Sequence, residues 1–308
     1  MWRLVATRTA EAAVTLLAMS GVVFLLGRLT GDPVALLLGD GASEADRRAL
    51  TSELGLDRSL WSQFVVFLSG LLRGDFGRSL VGDRRPAFEI VMERLPNSLE
   101  LAALALFAAL AIGIPLGVYA AVRQGSIGDG LVRMLALVGQ SMPVFWLGTM
   151  LMFLFSVKLG VLPTSGYGTA RHMVMPAITM ALFSIAAILR LSRTSMIEAL
   201  GSDYVKFARI KGLSERQIVW KHALSNSLIP VATFMGAFFA TMITGAVVVE
   251  TVFSWPGVGR LAYDSIIRRD FPVVQAVVLT ITALFVACNL AVDLLYLWID
   301  PRIRKGLA

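Results

Sequence analysis

Charged side chains are scarce in this sequence of 308 residues, and the scarcity is concentrated in a few places. Only 16% of the residues are Asp, Glu, Lys or Arg, whereas a soluble globular domain carries about 25%. The intervals without any such residue are 12–27, 101–122, 134–157, 172–189, 223–249 and 271–292. Each is close to the roughly 17–25 residues that cross a hydrocarbon core of about 30 Å. The pattern excludes an ordinary soluble enzyme and predicts an all-α membrane protein with six transmembrane helices, the first of them retained.

Cysteine, histidine and lysine are also rare, which argues against several kinds of site. The single cysteine, Cys288, provides neither an intrachain disulfide nor a cysteine cluster for a metal. His172 and His222 lie far apart without acidic residues at ligand spacing, so we expect no metal site. None of the five lysines follows a glycine, as the phosphate-binding loop of an ATPase requires. We therefore expect a chain that is not an enzyme and that binds no cofactor itself.

Basic residues are distributed unevenly between the predicted spans. On one side of the membrane, 14 Lys or Arg lie in the 60 residues of the pieces 1–8, 123–133, 190–222 and 301–308. On the other side, there are 5 in the 35 residues of loops 158–171 and 250–270, and 9 in the 73 residues of segment 28–100. Because cytoplasmic loops carry an excess of Lys and Arg, we expect both termini in the cytoplasm.

The long external segment after the first span, residues 28–100, contains signals for short helices. Ser43 and Asp46 have the spacing of a capping box, and Gly55 suits the end of the helix that they open. Apolar residues recur at helical spacing in 59–72, which is too short to cross a membrane and favours an interfacial or re-entrant helix. The segment is interpreted either as a docking surface for an external partner or as a cover packed over the other helices.

Prolines interrupt several of the predicted spans. They lie inside or near the ends of spans two to five, at Pro115, Pro143, Pro176 and Pro230. Each removes a backbone donor and tends to kink its helix. Two interpretations stay open, namely hinges of a gated pathway and the ordinary kinks of membrane helices.

The segment between the fourth and fifth spans has the strongest local signals. Ser202 is predicted to cap a helix that runs from Asp203 to Lys211. Gly212 then suits a left-handed helix end. The result is a helix that stops at a glycine corner.

A second helix is predicted directly after this corner. Ser214 and Gln217 have the spacing of a capping box that opens a helix through Leu224. Residues 190–222 carry seven Lys or Arg against three acidic residues, with aromatic and apolar residues interleaved at Tyr204, Phe207, Ile210, Ile218 and Trp220. A simple connection does not need two capped helices, which favours docking of a partner over anchoring to anionic lipid.

A few ionisable residues lie at or inside the predicted span ends. Glu250 ends the fifth charge-free interval and is interpreted as a residue at the mouth of a substrate pathway. Asp293 lies late in the sixth span, on the same face as Asn289. Charges at such depth are costly unless paired or hydrated. We expect Arg190 or Arg193 to pair with Asp293, as a structural ion pair rather than a proton or substrate relay.

Four stretches resemble one family, the permease subunits of ABC importers of the dipeptide/oligopeptide/nickel type. The stretches read ELGLDRSLWSQFVVFLSGLLRGDFGRSL, DYVKFARIKGLSERQIVWKHALSNSLIPV, VVVETVFSWPGVGRLAYDSIIRRDFPVVQ and NLAVDLLYLWIDPRIR. The resemblance runs over nearly the whole chain, from about Gly31 to Arg304. The second resembles the family's cytoplasmic coupling loop, and the third resembles its signature between the last two helices. The long first external segment resembles that of one particular member of the permease pair.

The resemblance implies a transport subunit with the type I ABC importer permease fold in the bacterial cytoplasmic (inner) membrane. Such a subunit pairs with a second permease and receives short peptides from an extracytoplasmic substrate-binding protein. Two partner ATPase subunits bind ATP and magnesium and hydrolyse the ATP. Nickel or another small ligand is the alternative substrate. A self-sufficient secondary transporter is a rival, but it predicts internal repeats and polar residues at mid-membrane depth, and we find neither in the sequence.

The resemblance also assigns sites and boundaries. It implies ATPase coupling through Asp203, Tyr204, Phe207, Ala208, Arg209, Lys211, Gly212, Leu213 and Ser214. The family's motif has an E-A-A triplet before the glycine, and Lys206 and Phe207 replace its first two residues here. Residues 1–93 are predicted as the first span with its external segment, 94–298 as a five-helix core with a coupling loop at about 190–227, and 299–308 as a tail.

Overall fold

The computed structural model describes residues 2–29, 34, 38 and 42–299, and in this part of the chain it contains helices but no strand. The α-helices are α1 Trp2–Leu29, α2 Glu44–Glu53, α3 Leu60–Leu72, α4 Ala87–Val122, α5 Ile127–Ser141, α6 Val144–Leu151, α7 Ala170–Gly201, α8 Asp203–Ile210, α9 Glu215–Gln217, α10 Leu224–Val252, α11 Val258–Ile267 and α12 Phe271–Ile299. Two π-helical turns, Met152–Lys158 and Ile218–Ala223, extend α6 and α9.

Four of the described helices are long and apolar enough to cross a membrane by themselves. They are α4, α7, the part of α1 from Ala6 to Leu29 and the part of α12 from Phe271 to Val292. Two further candidates are bent pairs, Ile127–Ser141 with Val144–Lys158 and Glu215–Gly236 with Thr241–Val252. Counting each bent pair as one span gives the six that the charge-free intervals predict.

The third predicted span, 134–157, is interrupted at Pro143, one of the prolines at which a kink or hinge is expected. Helix α5 ends at Ser141, Met142 is extended (φ −78°, ψ 127°), and α6 starts after Pro143. The two halves are bent by 100°. A residue before proline avoids the helical region, so the break falls at this proline. Pro176, by contrast, lies inside the unbroken helix α7.

The described part of the segment after the first span, residues 42–100, folds locally as its sequence predicts. Ser43 and Asp46 form the capping box of α2, and Gly55 has a positive φ of 63°. Helix α3 has 13 residues and is capped by Ser59. The predicted helix, too short to cross a membrane, is therefore confirmed, while its interfacial or re-entrant position and its role as a docking surface or cover stay predictions.

The described chain divides into two compact units, each made of segments that are distant in sequence. The first unit contains 1–96 and 257–290, and the second contains 97–256 and 291–308. The predicted boundary between residues 93 and 94 stays a prediction.

The first unit is held by apolar packing and one buried carboxylate. Ala87 and Val91 of α4 pack with Val273 and Val277 of α12. The Asp270 carboxylate, which is 4% exposed, accepts hydrogen bonds from the Ser79 hydroxyl and, at 3.0 Å, from the Leu80 backbone N–H. Because Asp270 directly precedes α12, this contact fixes the segment around Ser79 to the start of that helix.

In the second unit, α4 and α7 approach each other closely at two glycines. A Cβ on Gly117 would lie 2.7 Å from the Leu189 carbonyl oxygen, and one on Gly113 would lie 2.9 Å from a methyl group of Ile188. Small residues at such a crossing let two helix backbones come together. Helix α7 is thereby placed where its end leads directly into α8.

Candidate functional site

The corner segment, defined here as residues 203–223, contains α8, the glycine corner, α9 and a π-helical turn. Helix α8 ends at Ile210, one residue before the predicted Lys211, and Gly212 has the predicted positive φ (79°). The Ser214–Gln217 capping box is also present. The glycine corner and the second cap are therefore confirmed.

Ser202 directly precedes α8 as predicted, but the predicted capping hydrogen bond of its side chain is absent. Its hydroxyl instead donates to the Ala199 carbonyl at the end of α7. Only one residue separates the two helices, so the hydroxyl satisfies the last turn of α7 rather than the first turn of α8.

The helix predicted through Leu224 does not end there. It becomes a π-helical turn over Ile218–Ala223, in which the Leu224 N–H donates to the Val219 carbonyl, and then continues as α10. From Glu215 onward, the corner segment thus runs into the fifth span without a break at Leu224. Apolar periodicity does not reveal this π turn, because its 6 residues are too few to show a period of their own.

One face of the corner segment is buried and attaches it to the bundle. Its buried residues are Val205, Ala208, Ile218, Val219 and Ala223. They pack against Val118 and Ala121 of α4 and against Met196 and Ala199 of α7. Ala208, which the resemblance assigns to ATPase coupling, belongs to this face and is 8% exposed.

The opposite face carries an apolar stripe that is exposed in this chain. Tyr204, Phe207 and Ile210 recur every three residues along α8 and are 41%, 64% and 80% exposed. Trp220 in the π turn is 53% exposed. Large apolar side chains grouped on one surface mark interaction sites, so this outer face is suited to a protein partner.

Exposed ion pairs surround the stripe. The Arg209 guanidinium donates to both carboxylate oxygens of Glu215, at 2.8 and 3.3 Å, and so bridges the two sides of the glycine corner. This hydrogen bond raises the pKa of Arg209. Lys206 Nζ donates to Asp203 at 2.8 Å, and the hydrogen bond lowers the pKa of the Asp203 carboxyl. Both pairs lie on the surface of the corner segment.

A buried ion pair behind the corner segment was not predicted from the sequence. Arg193 of α7 donates from Nε and Nη2 to the two oxygens of Asp129, at 2.8 and 2.9 Å. The Asp129 side chain is 1% exposed, and its carboxylate also accepts the Gly125 N–H at 3.1 Å. Ser126 and Asp129 have the spacing of a helix-opening cap, which is the one sequence signal at this place.

Asp129 opens α5 close to the end of α7 that leads into α8, and it supplies a counter-charge to Arg193 that the sequence did not indicate. The pairing of Asp293 with Arg190 or Arg193 stays a prediction. Arg190 is exposed, and Asn289 is half-buried. The side chain of Asp293 lies outside the described residues.

Glu250 lies in a buried hydrogen-bonded cluster of the second unit. Its carboxylate is 0% exposed and accepts the Ser98 hydroxyl at 2.6 Å. Nearby, Trp255 Nε1 donates to the Asn97 carbonyl at 3.0 Å, and Asn97 Nδ2 donates to the Pro256 carbonyl at 2.8 Å. These bonds clamp α4 to the turn after α10. A place for Glu250 at the mouth of a substrate pathway stays a prediction.

Known proteins match this arrangement over almost the whole chain. A family model described as the inner membrane component of binding-protein-dependent transport systems matches residues 113–305, and one for the N-terminal part of such components matches residues 1–102. The dipeptide transport system permease protein DppB of Escherichia coli K12 is 40% identical over 308 residues, which cover 90% of this chain and 91% of that protein. The glutathione transport system permease protein GsiC of Salmonella paratyphi A is 42% identical over 291 residues, covering 94% and 95%.

A solved structure supports the fold. The inward-facing methionine ABC transporter MetNI matches with a TM-score of 0.59 at 18% identity, covering 68% of this chain and 96% of that chain. At this identity the match shows the fold alone. The chain therefore belongs to the family of inner membrane components of binding-protein-dependent transport systems, as a multi-pass permease subunit of an ABC importer.

Proposed function

We propose that this chain forms, with a second permease, the membrane pathway of an importer for short peptides. The named ligands of two relatives, dipeptides and glutathione, are both short peptides. Two full-length relatives with such ligands favour peptides over nickel or another small ligand. The family is built around a binding protein, a permease pair and ATPases in general. We infer that here an extracytoplasmic protein delivers the peptide and that partner ATPases bind the ATP and magnesium.

The outer face of the corner segment is the proposed contact for one ATPase subunit. Its support is the stripe Tyr204, Phe207 and Ile210, which is exposed although its buried neighbours Val205 and Ala208 are tightly packed. The candidate residues Asp203, Arg209, Lys211, Gly212 and Ser214 are exposed around it, and Leu213 is half-buried. A rigid segment with one anchored and one exposed face transmits the movement of a docked subunit to α7 and α10.

This proposal implies an orientation. A site for an ATPase requires the corner segment to be cytoplasmic, and six spans then place both termini on the same side. The excess of basic residues in 190–222 supports this orientation.

Peptide uptake into proteoliposomes of the complete transporter tests the function. We expect ATP-dependent uptake of a dipeptide in the presence of the binding protein, and no uptake driven by an ion gradient alone. Phe207→Asp should abolish ATP-dependent uptake and release the ATPase on purification. The matched control is Val161→Asp, at an apolar position that is 54% exposed in the loop after the first π turn. Uptake by the chain alone on an ion gradient would contradict the importer.

A further inference from the structure

A cavity of about 510 Å³ lies inside the first unit, where α1 ends and α12 begins. Its walls come from α1, from α2 and α3, and from the segment 77–84. In a chain with six spans, the end of the first span and the start of the sixth meet the same membrane surface. The cavity therefore lies at the boundary between hydrocarbon and polar headgroups.

The cavity walls combine positive charge with apolar surface. Arg28, Arg78 and Arg84 line it together with a single acidic residue, Glu53. Its remaining lining residues are uncharged and mostly apolar, with Phe24 and Phe67 among them. An anion with an apolar body matches both properties, whereas a free inorganic anion matches only the charge.

Arg28 carries the strongest argument for a bound anion. It is a half-buried residue in the last turn of the membrane-spanning helix α1. Within residues 2–29, 34, 38 and 42–299, no carboxylate forms an ion pair with Arg28, Arg78 or Arg84. A charge at a membrane boundary is costly unless it is paired or hydrated, so an anion bound in the cavity would stabilise the three arginines that line it.

The walls are held in place rather than formed by loose side chains. The Arg28 guanidinium lies 5.3 Å from the centroid of the Phe24 ring, and that ring packs against Phe64 and Phe67 at 5.4 and 5.6 Å. On the opposite wall of the cavity, the backbone N–H groups of the residues after Arg78 are held by hydrogen bonds. The Ser79 N–H donates to the Arg85 carbonyl at 2.9 Å, and the Leu80 N–H donates to Asp270 at 3.0 Å.

We propose that this cavity binds the headgroup of an anionic phospholipid, with the phosphate facing Arg28, Arg78 and Arg84 and an acyl chain against the apolar wall. Arginine guanidinium groups form strong, charge-assisted hydrogen bonds with phosphate oxygens, and the apolar wall suits an acyl chain. The lipid would hold α1 against the external segment and α12. This site is separate from the proposed ATPase contact and does not depend on the transported substrate.

Native mass spectrometry of the complete transporter, released from nanodiscs of phosphatidylethanolamine and phosphatidylglycerol, tests the proposal. Each exposed arginine near a membrane surface strengthens binding of an acidic lipid by about fivefold. Arg78→Gln with Arg84→Gln should therefore weaken retention of phosphatidylglycerol by about twenty-five-fold, without lowering the unfolding temperature. The matched control is Arg48→Gln with Arg58→Gln, because both residues are exposed in the same segment and do not line the cavity.

A second variant should change lipid retention in the opposite direction. Glu53→Gln removes the one acidic residue of the lining and should raise retention of phosphatidylglycerol by about fivefold. Equal retention in the cavity variant and its control would overturn the proposal. So would displacement of the lipid by inorganic phosphate or by a free dipeptide, since either result would identify an anion or substrate site instead.

Discussion

The two faces of the corner segment differ in what surrounds them, although they belong to the same short helices. The inner face has Val205 and Ile218, each 0% exposed in the packed core, and the Asp129–Arg193 ion pair lies behind it. The outer face has Phe207 and Ile210, which are 64% and 80% exposed. The inner face thus determines stability, and the outer face is available for a partner. Substitutions on the two faces should separate these two properties.

The largest effect is expected from the buried ion pair. Asp129→Asn leaves the Arg193 guanidinium, which is only 18% exposed, without its counter-charge, and an uncompensated buried charge is strongly destabilising. We expect this change to lower the unfolding temperature of the purified transporter more than any substitution below. Glu11→Gln, in the exposed Arg8–Glu11 pair, is the control. A swap, Asp129→Arg with Arg193→Asp, should recover part of the lost unfolding temperature. If Asp129→Asn leaves the unfolding temperature unchanged and the swap does not raise it, the ion pair does not anchor this part of the protein.

The second effect compares identical substitutions on the two faces. Ile218→Ala removes a side chain that is 0% exposed and should cost about 2–4 kcal/mol of unfolding free energy. Ile210→Ala on the outer face should change that free energy by less than about 0.5 kcal/mol but reduce ATPase binding. Thermal unfolding and co-purification measure the two quantities. Equal destabilisation by both substitutions would show that the faces are not distinct.

A smaller effect is expected at the glycine corner. Gly212 has a φ of 79°, and alanine there costs roughly 1 kcal/mol. The matched control is Gly201→Ala, because Gly201 ends α7 with no neighbouring atom in the way. Since the corner orients α8, we expect Gly212→Ala to lower the uptake achieved per ATP hydrolysed, while Gly201→Ala leaves this ratio unchanged. If Gly212→Ala leaves the uptake per ATP hydrolysed unchanged, the glycine corner does not take part in coupling.

The smallest effect on stability is expected from the exposed Arg209–Glu215 pair. Surface ion pairs contribute little, so Arg209→Glu should barely change the unfolding temperature. It places two carboxylates across the glycine corner, however, and should lower coupled uptake. The exchange Arg209→Glu with Glu215→Arg restores the pair and should restore uptake. If the exchanged variant stays inactive while the chain is folded, Arg209 contacts the ATPase directly.

Local signals in the sequence were sufficient to predict the helix ends near Gly55 and Gly212. Capping boxes at Ser43 and Ser214 and positive φ angles at Gly55 and Gly212 depend on residues within a few positions of each other. Long charge-free intervals likewise predict spans, because crossing a membrane requires only length and apolarity.

The features that were missed depend on tertiary neighbours. A pattern of apolar residues does not distinguish a helix that continues through a proline, as α7 does at Pro176, from one that breaks, as at Pro143. The choice of Asp129 as partner of Arg193 follows from how α5 and α7 pack. The outward direction of Phe207 and the inward direction of Ala208 became clear only from the packed core.

Site-specific crosslinking tests the central claim most directly, namely that the outer face of the corner segment contacts the ATPase. A photo-reactive residue is placed at Phe207, and at Val161 as an equally accessible control in another loop. We expect a covalent product between the ATPase subunit and position 207, and none from position 161. No ATPase product from position 207, or equal products from both positions, would contradict it.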